Sequence, residues 1–74
     1  MDMRRLVGSN VRRIRLERGL TQEQLAVTSG FTQGYISELE LGRRNPTVVS
    51  LFQLAEALGS TPVELVTPLP GVRR

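Results

Sequence analysis

Apolar residues recur along this chain at helical spacing, and turn-forming residues divide them into separate runs. Leu6, Val7, Val11, Ile14 and Leu16 predict a first helix from Leu6 to about Arg18, closed by Gly19 in the manner of a C′ residue. Thr21 can cap a second helix, with Gln24 completing a capping box and Leu20 and Leu25 at the staple positions. Thr32 can cap a third, with Phe31 and Ile36 at its staple positions, and Gly30 falls between the two. After the turn Gly42-Arg43-Arg44-Asn45-Pro46, Thr47 opens a fourth helix whose Leu51, Leu54, Ala55 and Leu58 are spaced i, i+3, i+4, i+7; Gly59 ends it. Thr61-Pro62-Val63-Glu64 carries the start signals of a short fifth helix reaching about Val66. The pattern predicts a compact all-α domain over residues 6–66, a short polar arm at 1–5, and an extended or frayed tail at 67–74.

The stretch from Gln22 to Leu41 organises the rest. Leu25 and Ala26 face inward on its first helix; Ile36 and Leu39 share one face of its second. Gln33, Gly34, Ser37 and Glu38 fall off that apolar stripe. A face so polar and short suits a DNA major groove about 12 Å wide.

Gln22, Leu25, Ala26, Gly30, Phe31, Ile36, Leu39, Glu40 and the run from Gly42 to Pro46 resemble the helix-turn-helix regulators of the Cro/C1 type, the XRE family. The likeness spans roughly residues 6–66 and rests on LTQEQLA followed by YISELELGRRNP. It departs at Ser29, where the family carries a more apolar residue, and at Gly34, where a longer base-reading side chain is common. The resemblance implies a five-helix, lambda-repressor-like domain that binds double-stranded DNA as a homodimer on a near-palindromic operator and regulates transcription. So compact a chain also resembles the controller proteins of restriction–modification systems. The family further implies that Arg15 pairs with Glu40, tying the first helix to the third, which makes Glu40 structural.

Composition narrows the alternatives. With no cysteine and no histidine, the chain lacks disulfides, the common zinc ligands and His-based catalysis. No nucleophile–base pair or phosphate-cradling glycine loop appears, and Glu38 and Glu40 point to different faces of one helix, so no enzyme, metal or cofactor is expected. The net charge is +3 and every basic residue is arginine, a balance compatible with a polyanionic partner. No apolar run approaches the ~18 residues of a membrane span, and the N-terminus has no signal-peptide core; a cytoplasmic location is expected.

Base-reading candidates are therefore Gln33, Gly34, Ser37 and Glu38: glutamine can pair with adenine N6 and N7, and a carboxylate can accept from cytosine N4. Phosphate candidates are Gln22, Thr32, Tyr35, Arg43, Arg44 and Asn45, with Arg12 and Arg13 as weaker ones. Plain solvent exposure is the competing reading for each of these, and half-buried packing for Tyr35. Phe52, Val63, Val66 and Leu69 exceed the needs of so small a core and are candidates for a two-fold interface; closure of the core is the other reading. Two further functions stay open. One is an antitoxin-like protein-binding module, for which a tail beginning after Val66 is short. The other is a fragment of a longer regulator.

Overall fold

The computed structural model describes residues 2–69. They form α1 (Met3–Glu17), α2 (Gln22–Ser29), α3 (Gln33–Glu40), α4 (Val48–Leu58) and α5 (Pro62–Leu65), with no strand among the described residues. Each helix starts at a side-chain cap. Asp2, Thr21, Thr32, Thr47 and Thr61 each accept a hydrogen bond from a backbone N–H two or three positions on, which satisfies a donor the helix itself leaves free. Thr21 with Gln24, and Thr61 with Glu64, complete reciprocal capping boxes.

α1 begins three residues before the expected Leu6. Asp2 caps it through the backbone N–H of Arg4, so residues 3–5, expected as part of a polar arm, are helical. Leu16 also departs from the apolar pattern; it is exposed near the C-terminus of α1. Beyond α5, residues 66–69 are described, and the remainder of the expected frayed tail lies outside the described residues.

Val7, Val11 and Ile14 of α1, Leu25 and Ala26 of α2, Ile36 and Leu39 of α3, Leu54, Ala55 and Leu58 of α4, and Leu65 of α5 make one core. α3 packs on both α1 and α2. Its approach to α1 is possible because Gly8 has no side chain: a Cβ there would lie 2.2 Å from the Leu39 carbonyl oxygen.

Polar bonds close the bundle at two further places. The Arg18 guanidinium donates to the carbonyls of Leu58 and Gly59, placing a cation at the C-terminus of α4, where the helix dipole favours it. Asn10, buried in mid-α1, donates from Nδ2 to the carbonyls of Glu64, Leu65 and Thr67, which supplies a donor to carbonyls at and just beyond the end of α5 that the helix leaves without one.

Of the four apolar residues proposed for a two-fold interface, Phe52, Val63 and Leu69 are exposed, whereas Val66 is half-buried against the core. For Val66 the core-closing alternative is the better description.

Candidate nucleic-acid interface

α3 is anchored from behind. Ile36 and Leu39 have no exposed surface, and Glu40, one residue further, turns its carboxylate to α1. Arg15 Nε donates to Glu40 Oε2 at 2.6 Å and Nη2 to Oε1 at 3.0 Å, a two-pronged pair whose side chains are 9% and 3% exposed. Arg15 Nη1 also donates to the Leu20 carbonyl at 2.8 Å. The hydrogen bond to Glu40, and secondarily its charge, raise the Arg15 pKa, while burial works in the opposite direction. Arg15 therefore carries its positive charge at neutral pH.

A second chain of bonds runs outward from the same carboxylate. Gln22 Nε2 donates to Glu40 Oε1 at 3.1 Å, and Gln22 Oε1 accepts from Gln33 Nε2 at 3.2 Å. Because Glu40 can only accept, the orientation of the Gln22 amide is set, and with it that of Gln33. Gln33 keeps its Oε1 and one N–H of Nε2 for an outside partner, the acceptor–donor pair that matches adenine N6 and N7. Gln33 itself is exposed. Gln22 gives one Nε2 N–H and its Oε1 to its neighbours, so what it retains for a phosphate is its second Nε2 N–H and its backbone N–H in the first turn of α2.

Along the rest of the outer edge, Gly34 and Glu38 are exposed and Ser37 is half-buried; none belongs to the core. A Cβ at Gly34 would meet nothing within 4 Å, so the face there is open. Thr32 is occupied as the α3 cap, its hydroxyl accepting from Tyr35 N. Tyr35 is half-buried, stacked on Phe31 with ring centroids 4.7 Å apart.

The loop after α3 is folded back by its backbone. Gly42, at φ +77°, donates to the Leu39 carbonyl, and Arg43 N donates to that of Glu38. Arg43, Arg44 and Asn45 are all exposed at this turn. Arg44 comes back over α3: its Nε donates to Glu38 Oε1 at 3.0 Å, and its guanidinium lies 5.2 Å from the Tyr35 ring centre. The weaker phosphate candidates differ. Arg12 is exposed, while Arg13 is engaged with Glu17 and Asn10 on α1.

Three parts of this arrangement lay outside the sequence reading: the Gln22 bond to Glu40, the Arg44 pair with Glu38, and the Asn10 clasp. Only Asn10 left a signal. It stands three residues after Val7 and four before Ile14, on the apolar stripe, where an amide needs buried partners.

Comparison with known proteins finds relatives for the fold as a whole. The helix-turn-helix family model HTH_3 matches residues 11–65. The uncharacterized HTH-type transcriptional regulator y4dJ of Sinorhizobium fredii is 65% identical over 68 residues, which is 92% of this chain and 88% of that protein. Among solved structures, a hypothetical transcription factor, NHTF, from Neisseria superposes with a TM-score of 0.86 at 33% identity, covering 90% of this chain and 77% of that one. The restriction-modification controller protein C.AhdI from Aeromonas hydrophila superposes with a TM-score of 0.81 at 39% identity, covering 84% and 94%.

Proposed function

The chain belongs to the HTH_3 (XRE) family of helix-turn-helix transcriptional regulators, DNA-binding proteins without enzymatic activity, and from that premise we propose that it binds a near-palindromic operator as a homodimer. In this reading residues 6–66 are the DNA-binding unit. α3 enters the major groove, Gln33 reads an adenine, and Ser37 and Glu38 contact neighbouring base edges while Gly34 lets the groove wall come close. The N-termini of α2 and α3, with Arg43, Arg44 and Asn45, hold the flanking phosphates. The observation that carries the proposal is the amide of Gln33, exposed yet held in one orientation by Gln22 and the buried Glu40.

One helix contacts only a few base pairs, and two such helices about 34 Å apart read a site that one cannot. Phe52, Val63 and Leu69 offer exposed apolar surface for the two-fold contact. The likeness to C.AhdI favours a controller-type regulator whose output follows its own concentration. The action belongs in the cytoplasm and calls for neither metal nor cofactor.

Selection of duplexes from a random pool tests the reading. The expected result is a two-fold symmetric consensus. Gln33→Ala is expected to relax preference at one position per half-site by ~1–3 kcal/mol. Arg43→Ala is expected to weaken every duplex alike and flatten the log–log salt slope by about 0.9. Unselective binding by both wild type and Gln33→Ala would remove the sequence-reading proposal. A monomer in sedimentation, well above the DNA-binding concentration, would remove the dimer.

A further inference from the structure

The outer edge of α3 carries a carboxylate where a DNA-binding face gains most from positive charge. Glu38 is on the side of the helix that holds Gln33 and Gly34, and a free carboxylate there is repelled by every phosphate of any duplex. It is not free. The Gly42 turn fixes the backbone so that Arg44 returns beside it, and Arg44 Nε donates to Glu38 Oε1 at 3.0 Å. Both side chains are 49% exposed. Among the described residues, Nε is the atom through which the Arg44 guanidinium makes its hydrogen bond; Nη1 and Nη2 make none.

We propose that Glu38 is a specificity-determining residue that works as a latch on Arg44, withholding this cation from non-operator DNA and releasing it when a base donor draws the carboxylate away. The inference rests on the DNA-reading function proposed above.

Charge and exposure carry the argument. While closed, the pair has no net charge, so a duplex offering only phosphates gains no counterion release from Arg44. An ion pair this exposed is weak and opens readily, which suits an exchangeable contact and not a structural tie. A groove that presents a cytosine N4 amino group supplies Glu38 with a replacement donor. Arg44, freed, then passes to a phosphate. Tyr35 keeps the guanidinium near the surface of α3 during the exchange, because the ring face attracts a cation in either state. Two partners are traded at once, so affinity rises only where the base and the phosphate are both in place. Operator binding should accordingly be steeper in salt than binding to scrambled DNA, by about one phosphate beyond the other contacts.

Anisotropy titrations test this with two probes: the duplex enriched from a random pool by the wild-type chain, and a scrambled duplex of the same length and composition. Wild type, Glu38→Gln, Arg44→Ala and the double variant are compared over a range of salt. Glu38→Gln is expected to bind the scrambled duplex about threefold to tenfold more tightly, with its slope steeper by about 0.9, and so to lose discrimination. Arg44→Ala is expected to flatten the scrambled-duplex salt slope by about 0.9 where Glu38 has been replaced by glutamine, since a phosphate contact is then lost, and to leave that slope as it was where Glu38 is present. Both residues are exposed, so unchanged melting temperatures confirm intact folds. The latch is overturned if Glu38→Gln binds scrambled DNA no better than wild type. It is equally overturned if Arg44→Ala flattens the scrambled-duplex salt slope as much with Glu38 present as without it. A wild-type chain that enriches a duplex while failing either test loses the latch alone. A chain that enriches none loses DNA reading, and the latch with it.

Discussion

Glu38 and Glu40 stand two positions apart on α3, and each meets an arginine, yet the two pairs differ in kind. Two residues of α-helix turn the side chain through about 200°, so one carboxylate faces α1 and the other faces solvent. The inner pair, Glu40 with Arg15, is almost fully covered and makes two charge-assisted hydrogen bonds. The outer pair, Glu38 with Arg44, is about half exposed and makes one. Burial decides what each pair does. A covered charge that loses its partner cannot turn to water, so the inner pair holds α3 in place. An exposed charge has water as a ready substitute, so the outer pair contributes little to folding and is available for exchange.

The largest expected effect lies on the inner side. Glu40→Ala leaves Arg15 buried without its carboxylate and releases the Gln22 amide, and should cost about 3–5 kcal/mol; Glu38→Ala should cost less than about 0.5 kcal/mol. Thermal melting measures both, and equal losses would erase the difference between the two pairs. The two glycines of these faces sharpen it next. Gly8→Ala forces a methyl group onto the Leu39 carbonyl and is expected to cost about 1–3 kcal/mol or more. Gly34→Ala adds a methyl group to open space in a helix and should be neutral or stabilising by up to about 1 kcal/mol. Denaturant midpoints for the two variants moving in the same direction would contradict that assignment of faces.

The smallest effect concerns acid. Hydrogen bonds from the Ser60 hydroxyl and then the Thr61 N–H hold the Glu64 carboxyl below its ordinary pKa. A carboxylate lowered in the folded state adds stability above its unfolded pKa and loses it as pH falls through the folded value. Below about pH 4, then, amide protection at the start of α5 should fall while that of Leu54 and Leu58 persists. Simultaneous loss across the chain would show that α5 has no separate response.

Much of this was legible in the residues. The caps at Thr21, Thr32, Thr47 and Thr61 fixed helix starts because a short hydroxyl side chain bonds a backbone N–H only three positions on, a relation printed in sequence order. The spacing of Leu25, Ala26, Ile36 and Leu39 likewise separated the covered side of the central helices from the open one. The Arg15–Glu40 contact entered through family resemblance, since nothing local links two residues 25 apart. The start of α1 was missed because the early turn is held by Asp2 and not by apolar spacing. The Arg44–Glu38 pair was missed for a different reason. It depends on the path of the Gly42 turn, and a loop's composition says that it turns but not which side chain it returns to.

Asn10 has a consequence for the order in which the domain assembles. Its three acceptors are 54 to 57 residues away along the chain, so the clasp closes a loop that contains nearly everything else. Contacts of that span carry the full entropy of ring closure and come after the short-range ones are made. The pairing of α2 with α3 lies wholly within the stretch Gln22–Glu40 and can nucleate early. The α2–α3 half of the molecule is therefore the part able to take shape first, and the junction of the first and last helices is the seam that shuts over it.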